Sequence, residues 1–207
     1  MKKNENFITG IIVGILFLAL FNTSSFVYNC NEIRNDTLRL HIIANSDSNK
    51  DQQIKLAVRD ALLESGNNIF SGTVTPETAF ITIEKERENI EKTVKKILLE
   101  NGVNYNTEIN LTTEYFDTRV YDNNVTLPAG RYLALKIVLG EGNGKNWWCV
   151  MFPTLCLPAA EKTDLSVIES VYSENEKSIV TNGSKYTIRF KLIEYLEKIK
   201  NNVTFTD

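Results

Sequence analysis

The chain carries a single histidine, His41, followed closely by Ser46 and Asp47. An imidazole, a hydroxyl and a carboxylate are the materials of nucleophilic or general acid–base catalysis. That chemistry needs a base within reach of a nucleophile and a group that orients the base. No G-x-S-x-G turn presents a serine here, so a structural imidazole is the plainer reading and no catalytic set is assigned. The alternative is an extracytoplasmic hydrolase or cell-wall enzyme built on His41 and Asp47. Asn45, Ser46 and Asp47 also stand where a strand ends, a place for loop and cap chemistry or for the rim of a partner-binding surface.

Gly140-Glu141-Gly142-Asn143-Gly144-Lys145 has the glycine density of a phosphate cradle. A P-loop needs Ser or Thr after its lysine and then a helix, whereas Asn146 and a tryptophan-bearing strand follow. A hairpin connection is therefore expected. Trp147 and Trp148 are adjacent, and on a strand neighbours point to opposite faces. One packs in the core. The other is either covered by the terminal segment or, with Phe152, Pro153 and Leu155, makes an apolar recognition patch for a partner. Cys149 and Cys156 do not form a Cys-x-x-Cys redox motif. A disulfide between them and two buried thiols both fit the sequence. Three cysteines and one histidine supply no four-cysteine zinc set, and neither metal nor cofactor is expected.

The 207 residues are 43% hydrophobic and 24% charged with a net charge of −3, which is ordinary globular usage. That balance argues against a basic nucleic-acid-binding domain. The apolar residues are unevenly spread. Behind Lys2 and Lys3, Phe7 to Phe21 is a run of 15 residues without charge. As a helix it covers roughly 22 Å, short of a hydrocarbon core of roughly 30 Å. The pattern fits a signal peptide with a cut after Ser25, where Thr23 and Ser25 are the small residues. Extended to Tyr28, it becomes an anchor touching the membrane through residues 7–28. In both cases the basic start stays cytoplasmic and the rest of the chain lies outside. The expected organisation is an export or anchor segment over 1–30 and one exported domain over 31–207.

Leu38 to Ala44 alternates as a strand, with Leu40, Ile42 and Ala44 opposite Arg39, His41 and Ile43. Ser48 is placed to cap a helix, with Asp51 as the acid of a capping box. Its apolar stripe is Ile54, Ala57, Val58, Ala61 and Leu62. Thr75-Pro76-Glu77 opens a second helix that Gly102 closes. Strands follow at Thr107 to Phe116 and Arg131 to Leu139, and a third at Trp147 to Met151 is the expected hairpin partner of the second. Asn29 to Asp36 reads as a polar spacer, Glu161 to Lys185 is weakly patterned, and Thr187 to Lys200 is an amphipathic helix. The fold class is α+β, with helices packed on a mainly antiparallel sheet.

Leu38-Arg39-Leu40-His41-Ile42-Ile43-Ala44-Asn45-Ser46-Asp47-Ser48 and Lys55-Leu56-Ala57-Val58-Arg59-Asp60-Ala61 resemble the first signature of the stage II sporulation protein R family. Leu127-Pro128-Ala129-Gly130-Arg131-Tyr132 and the stretch from Gly142 through Trp147-Trp148-Cys149 to Cys156 resemble its second. The resemblance frames residues 38–157. It implies a protein exported from the forespore into the space between forespore and mother cell. There such proteins trigger a membrane-embedded aspartic protease that removes the pro-sequence of sigma-E. On that reading the chain is a ligand for the protease's extracytoplasmic face, not an enzyme.

Overall fold

The structure is a computed structural model and describes residues 2–69, 75–121, 125–153 and 166–204. Strand β1, Leu38–Ile43, follows the expected alternation. Leu38, Leu40 and Ile42 are buried on one face, Arg39 and His41 on the other. Burial on both faces marks a central strand. The remaining sheet strands are β2 (Thr107–Phe116), β5 (Gly130–Leu139) and β6 (Asn146–Phe152). The sheet order is β2-β5-β1-β6, and β3 (Arg119–Val120) with β4 (Thr126–Leu127) makes a separate short ribbon. β1 runs parallel to β5 and antiparallel to β6, and β2 is antiparallel to β5. The α+β expectation with a mainly antiparallel sheet is met.

The expected hairpin between β5 and β6 is not formed, because β1 lies between them. The glycine loop instead crosses the end of β1 and bonds to it. Gly144 N–H donates to the Ala44 carbonyl at 2.9 Å and Asn143 N–H to the Asn45 carbonyl at 3.1 Å. Loop length alone does not reveal a strand inserted from elsewhere in the chain. Gly140 and Gly142 take φ of +59° and +63°, which glycine adopts without strain. Gly144 is held by space: a Cβ there would stand 2.3 Å from the Ser46 carbonyl oxygen.

Helices α2 (Asn49–Ile69), α3 (Pro76–Lys85) and α4 (Arg87–Glu100) cover one face of the sheet. Ile54, Val58, Leu62, Ile83, Ile90, Val94 and Leu98 meet Leu40, Ile42, Leu135, Ile137 and Met151 in the first core. α3 and α4 were expected as one helix. The chain breaks at Glu86, and Arg87 donates to the Ile109 carbonyl of β2 at 2.7 Å.

The first helix, α1, spans Lys2–Asn35 without interruption. The expected spacer Asn29 to Asp36 is therefore mostly helix. Its buried residues Phe26, Cys30 and Ile33 enter a second core on the other side of the sheet. There they meet α5 (Ser166–Val171), α6 (Glu174–Thr181) and α7 (Thr187–Thr204) through Ile168, Tyr172, Ile179, Val180, Phe190 and Ile193. The weakly patterned stretch before α7 thus contains two helices and a 3-10 turn, Gly183–Tyr186. Upstream, Ile8, Ile11, Ile12, Val13, Ile15, Phe17, Leu18 and Phe21 are exposed. Among the described residues no helix is long and apolar enough to cross a membrane.

Gly144→Ala is expected to destabilise the protein by roughly 2–4 kcal/mol, because the new methyl group meets backbone that cannot turn away. A urea melt of the two proteins measures it; an unchanged midpoint would disprove the close packing of loop on turn.

Candidate functional site

Two polar clusters are built from the signature residues, one at the end of β1 and one on its Arg39–His41 face. The first centres on Asp51 in the opening turn of α2. Ser48 caps that helix by accepting from Asp51 N–H at 3.1 Å. The Asp51 carboxylate does not complete a capping box; it accepts from Ser46 Oγ at 2.5 Å, Asn45 Nδ2 at 2.9 Å and Tyr105 OH at 2.7 Å. The hydrogen bond from Ser46, helped by those from Tyr105 and Asn45 and opposed by burial, holds Asp51 down at about 2. Asn45 Oδ1 accepts from Glu141 N–H, and Asp47 Oδ1 from Lys145 N–H. Lys55, buried on α2, donates to the Lys145 carbonyl at 2.9 Å, and burial lowers its pKa. Asn45 and Asp47 thus bind the glycine loop of their own chain, and Ser46 binds Asp51.

The second cluster follows from register. His41 stands between Lys136 of β5 and Trp148 of β6. Its Nδ1 meets Glu114 Oε2 at 2.6 Å and its Nε2 meets Asn146 Oδ1 at 2.8 Å. The carboxylate only accepts, so Nδ1 carries a proton. Lys136 Nζ donates to Glu114 Oε1 at 2.6 Å. Burial pushes the Glu114 carboxyl up, but the bonds from Lys136 and His41 outweigh it and hold the group below the usual range. The imidazole stacks on Trp148 with ring centres 3.6 Å apart, and Trp148 meets Phe116 edge-on at 4.9 Å.

Beside it, Arg39 is fully buried in a box of rings. Its guanidinium lies 4.2 Å from the centre of Phe116, 4.9 Å from Tyr132 and 5.6 Å from Tyr121, whose hydroxyl accepts from Nη2. Nε and Nη1 have no hydrogen-bond partner among the described residues.

The pairing of His41 with Asp47 behind the hydrolase reading is not formed: His41 spends both ring nitrogens on Glu114 and Asn146, and Asp47 holds Lys145 N–H. Trp147 and Trp148 do point to opposite faces, and both are half-buried. Trp147 lies under the Arg59 guanidinium at 4.4 Å. Phe152 and Pro153 are buried, Phe152 in the first core, so neither offers the surface that a partner patch needs. Leu155 lies outside the described residues. Cys149 is disulfide-bonded and Cys30 is the free cysteine among the described residues. Cys156 lies outside them.

Glu114, Lys136, Asn146 and Tyr105 were not singled out by sequence. Glu114 lies within the strand expected at Thr107 to Phe116, and its pairing depends on a strand order that local patterning does not carry. Asp51 was recognised, but for a different bond.

A family profile described as Stage II sporulation protein R matches residues 34–162. The chain is 31% identical to the Stage II sporulation protein R of Bacillus subtilis (strain 168), an alignment covering 81% of this chain and 83% of that protein. No solved structure matches. All the polar residues of both clusters fall within the matched segment.

Asp51 titrates low in the folded protein, so its contribution is complete above about pH 4, where the unfolded carboxyl is also ionised, and is lost as pH falls toward 2. Asp51→Asn is expected to cost roughly 1–3 kcal/mol at neutral pH, by leaving buried donors without an anion. The variant should also flatten the acid limb between pH 4 and pH 2 in a denaturation series. Peptide mapping without reductant is expected to recover Cys149 linked to Cys156; two separate peptides would exclude the bridge.

Proposed function

The chain belongs to the stage II sporulation protein R family, and from that premise we propose that it is an exported sporulation signal that activates a membrane-embedded aspartic protease to cleave pro-sigma-E in the mother cell. Family membership carries this reading: the matched segment contains the whole sheet and both polar clusters. A role in sporulation follows from the family. Export, the partner and the cleaved factor are the proposal.

The geometry supports a binding protein in a specific way. Asn45, Ser46, Asp47 and Asp51 are committed to bonds within the chain, and His41 is fixed between Glu114 and Asn146. These groups give the domain a rigid, pre-shaped surface, and a ligand that need not reorganise loses less entropy on docking. The apolar, exposed half of α1 supports the export reading, with Lys2 and Lys3 kept at the cytoplasmic side.

Co-expression of the full chain with the protease and pro-sigma-E in a non-sporulating host is expected to yield the shortened sigma factor. Omitting the chain should leave the precursor intact. Equal processing with and without the chain, or none in either case, would sink the reading.

A further inference from the structure

Helix α7 has two apolar faces. Phe190 and Ile193 point into the second core, Phe190 against the ring of Phe26 at 5.6 Å. Nearly opposite them, Ile188, Leu192, Tyr195, Leu196 and Ile199 are all exposed, Ile188 at 86%. These positions recur at helical spacing and make one stripe about 16 Å long. Scattered apolar residues on a surface are ordinary, but a contiguous row on the outer face of a helix is not.

The charges beside the stripe define what fits it. Lys191 and Lys198 border one margin and Arg189 the other, all exposed. The neighbouring acids are turned in or engaged. Glu194 is largely shielded and accepts from both lysines, Glu197 faces Arg34 at 3.8 Å, and the exposed Asp117 meets Lys198 at 3.5 Å. Against a second copy of the stripe, basic margins would meet basic margins in either helix direction.

The face of α7 that α1 packs against is the one turned away from the stripe. Phe26 lies beside Phe190 and Arg34 beside Glu197, so α1 and α7 run side by side in the same direction.

We propose that the Ile188–Ile199 stripe is where the partner protein docks, through an amphipathic helix whose apolar row is bordered by Asp and Glu. This rests on the reading of the chain as a protease-activating ligand. The test places a photo-cross-linking amino acid at Leu192 or Tyr195 of the full chain, co-expressed with the protease, with Glu88 on α4 as the control position. Adducts with the protease are expected from 192 and 195, none from 88, and at least tenfold fewer when Lys191→Glu and Lys198→Glu are added. Circular dichroism confirms that the helices persist in that variant, and Leu196→Gln with Ile199→Gln serves as the second variant if they do not. No adduct from 192 or 195, adducts only with a second copy, or adducts only with lipid would each overturn the proposal. Adducts formed without any cleavage of pro-sigma-E would leave the docking surface standing and remove the activation reading.

Discussion

The carboxylate of Asp51 is the point through which three separate turns of the chain are held. It receives Asn45 and Ser46 from the end of β1 and Tyr105 from the approach to β2. Asn45 passes the constraint on, since its own oxygens take the N–H groups of Glu141 and Asn143 in the loop between β5 and β6. A buried ionised carboxylate is costly unless its lone pairs are filled, and hydrogen bonds to an ion are roughly twice as strong as neutral ones. Three donors outweigh the burial, which is why the group sits near 2 rather than above 4. Without that anion, Asn45 would lose the partner that orients its side chain toward Glu141, and the crossing would rest on the backbone bonds to Ala44 and Asn45, the bonds of Lys145 to Asp47 and Lys55, and glycine packing.

That crossing explains why the sequence was readable in its pieces and less so in their assembly. Period-two alternation located β1, β2 and β5 closely, and Ser48 and Thr75 marked helix starts, because those signals are local. The partner of β6 is a non-local property. The glycines between Leu139 and Asn146 have the composition of a hairpin, and nothing in them tells of β1 inserted between the two strands. The same limit hid Glu114 and Lys136, which become the neighbours of His41 only through register. Asn45, Ser46 and Asp47 stood out because they are polar and dense, and the structure accounts for that density by bonds within the fold.

The Arg39–His41 face shows how a sheet carries charge inside. Removing a guanidinium from water costs several kcal/mol. Each ring face gives back roughly 1–2 kcal/mol when desolvated, so three rings and the Tyr121 hydroxyl offset most of the cost. The rings are not free to rearrange. Phe116 is also held by Trp148, which is held by His41, which is held by Glu114 and Asn146. The open edge of β2 is guarded in a related way: Arg87 and Arg131 donate to the outward carbonyls of Ile109 and Thr113, which blunts the edge against pairing with another chain.

The second core is assembled from both flanks of the family-matched segment. Phe26, Cys30 and Ile33 come before it, and Ile168, Tyr172, Ile179, Val180, Phe190 and Ile193 come after it. They close on Val125, Leu127 and Val150 from within it. Arg34 fastens this joint by donating to the Ala129 carbonyl at 2.6 Å, and Gly130 leaves the room that its side chain occupies. One helix therefore serves two purposes, an apolar exposed half and a buried half, and the boundary between them falls at Phe26. Removal of everything through Ser25 would keep the core contacts of Phe26, Cys30 and Ile33. Removal through Cys30 would strip Phe26 and Cys30 from the core, a loss of roughly 3–5 kcal/mol of burial, comparable to much of a domain's net stability.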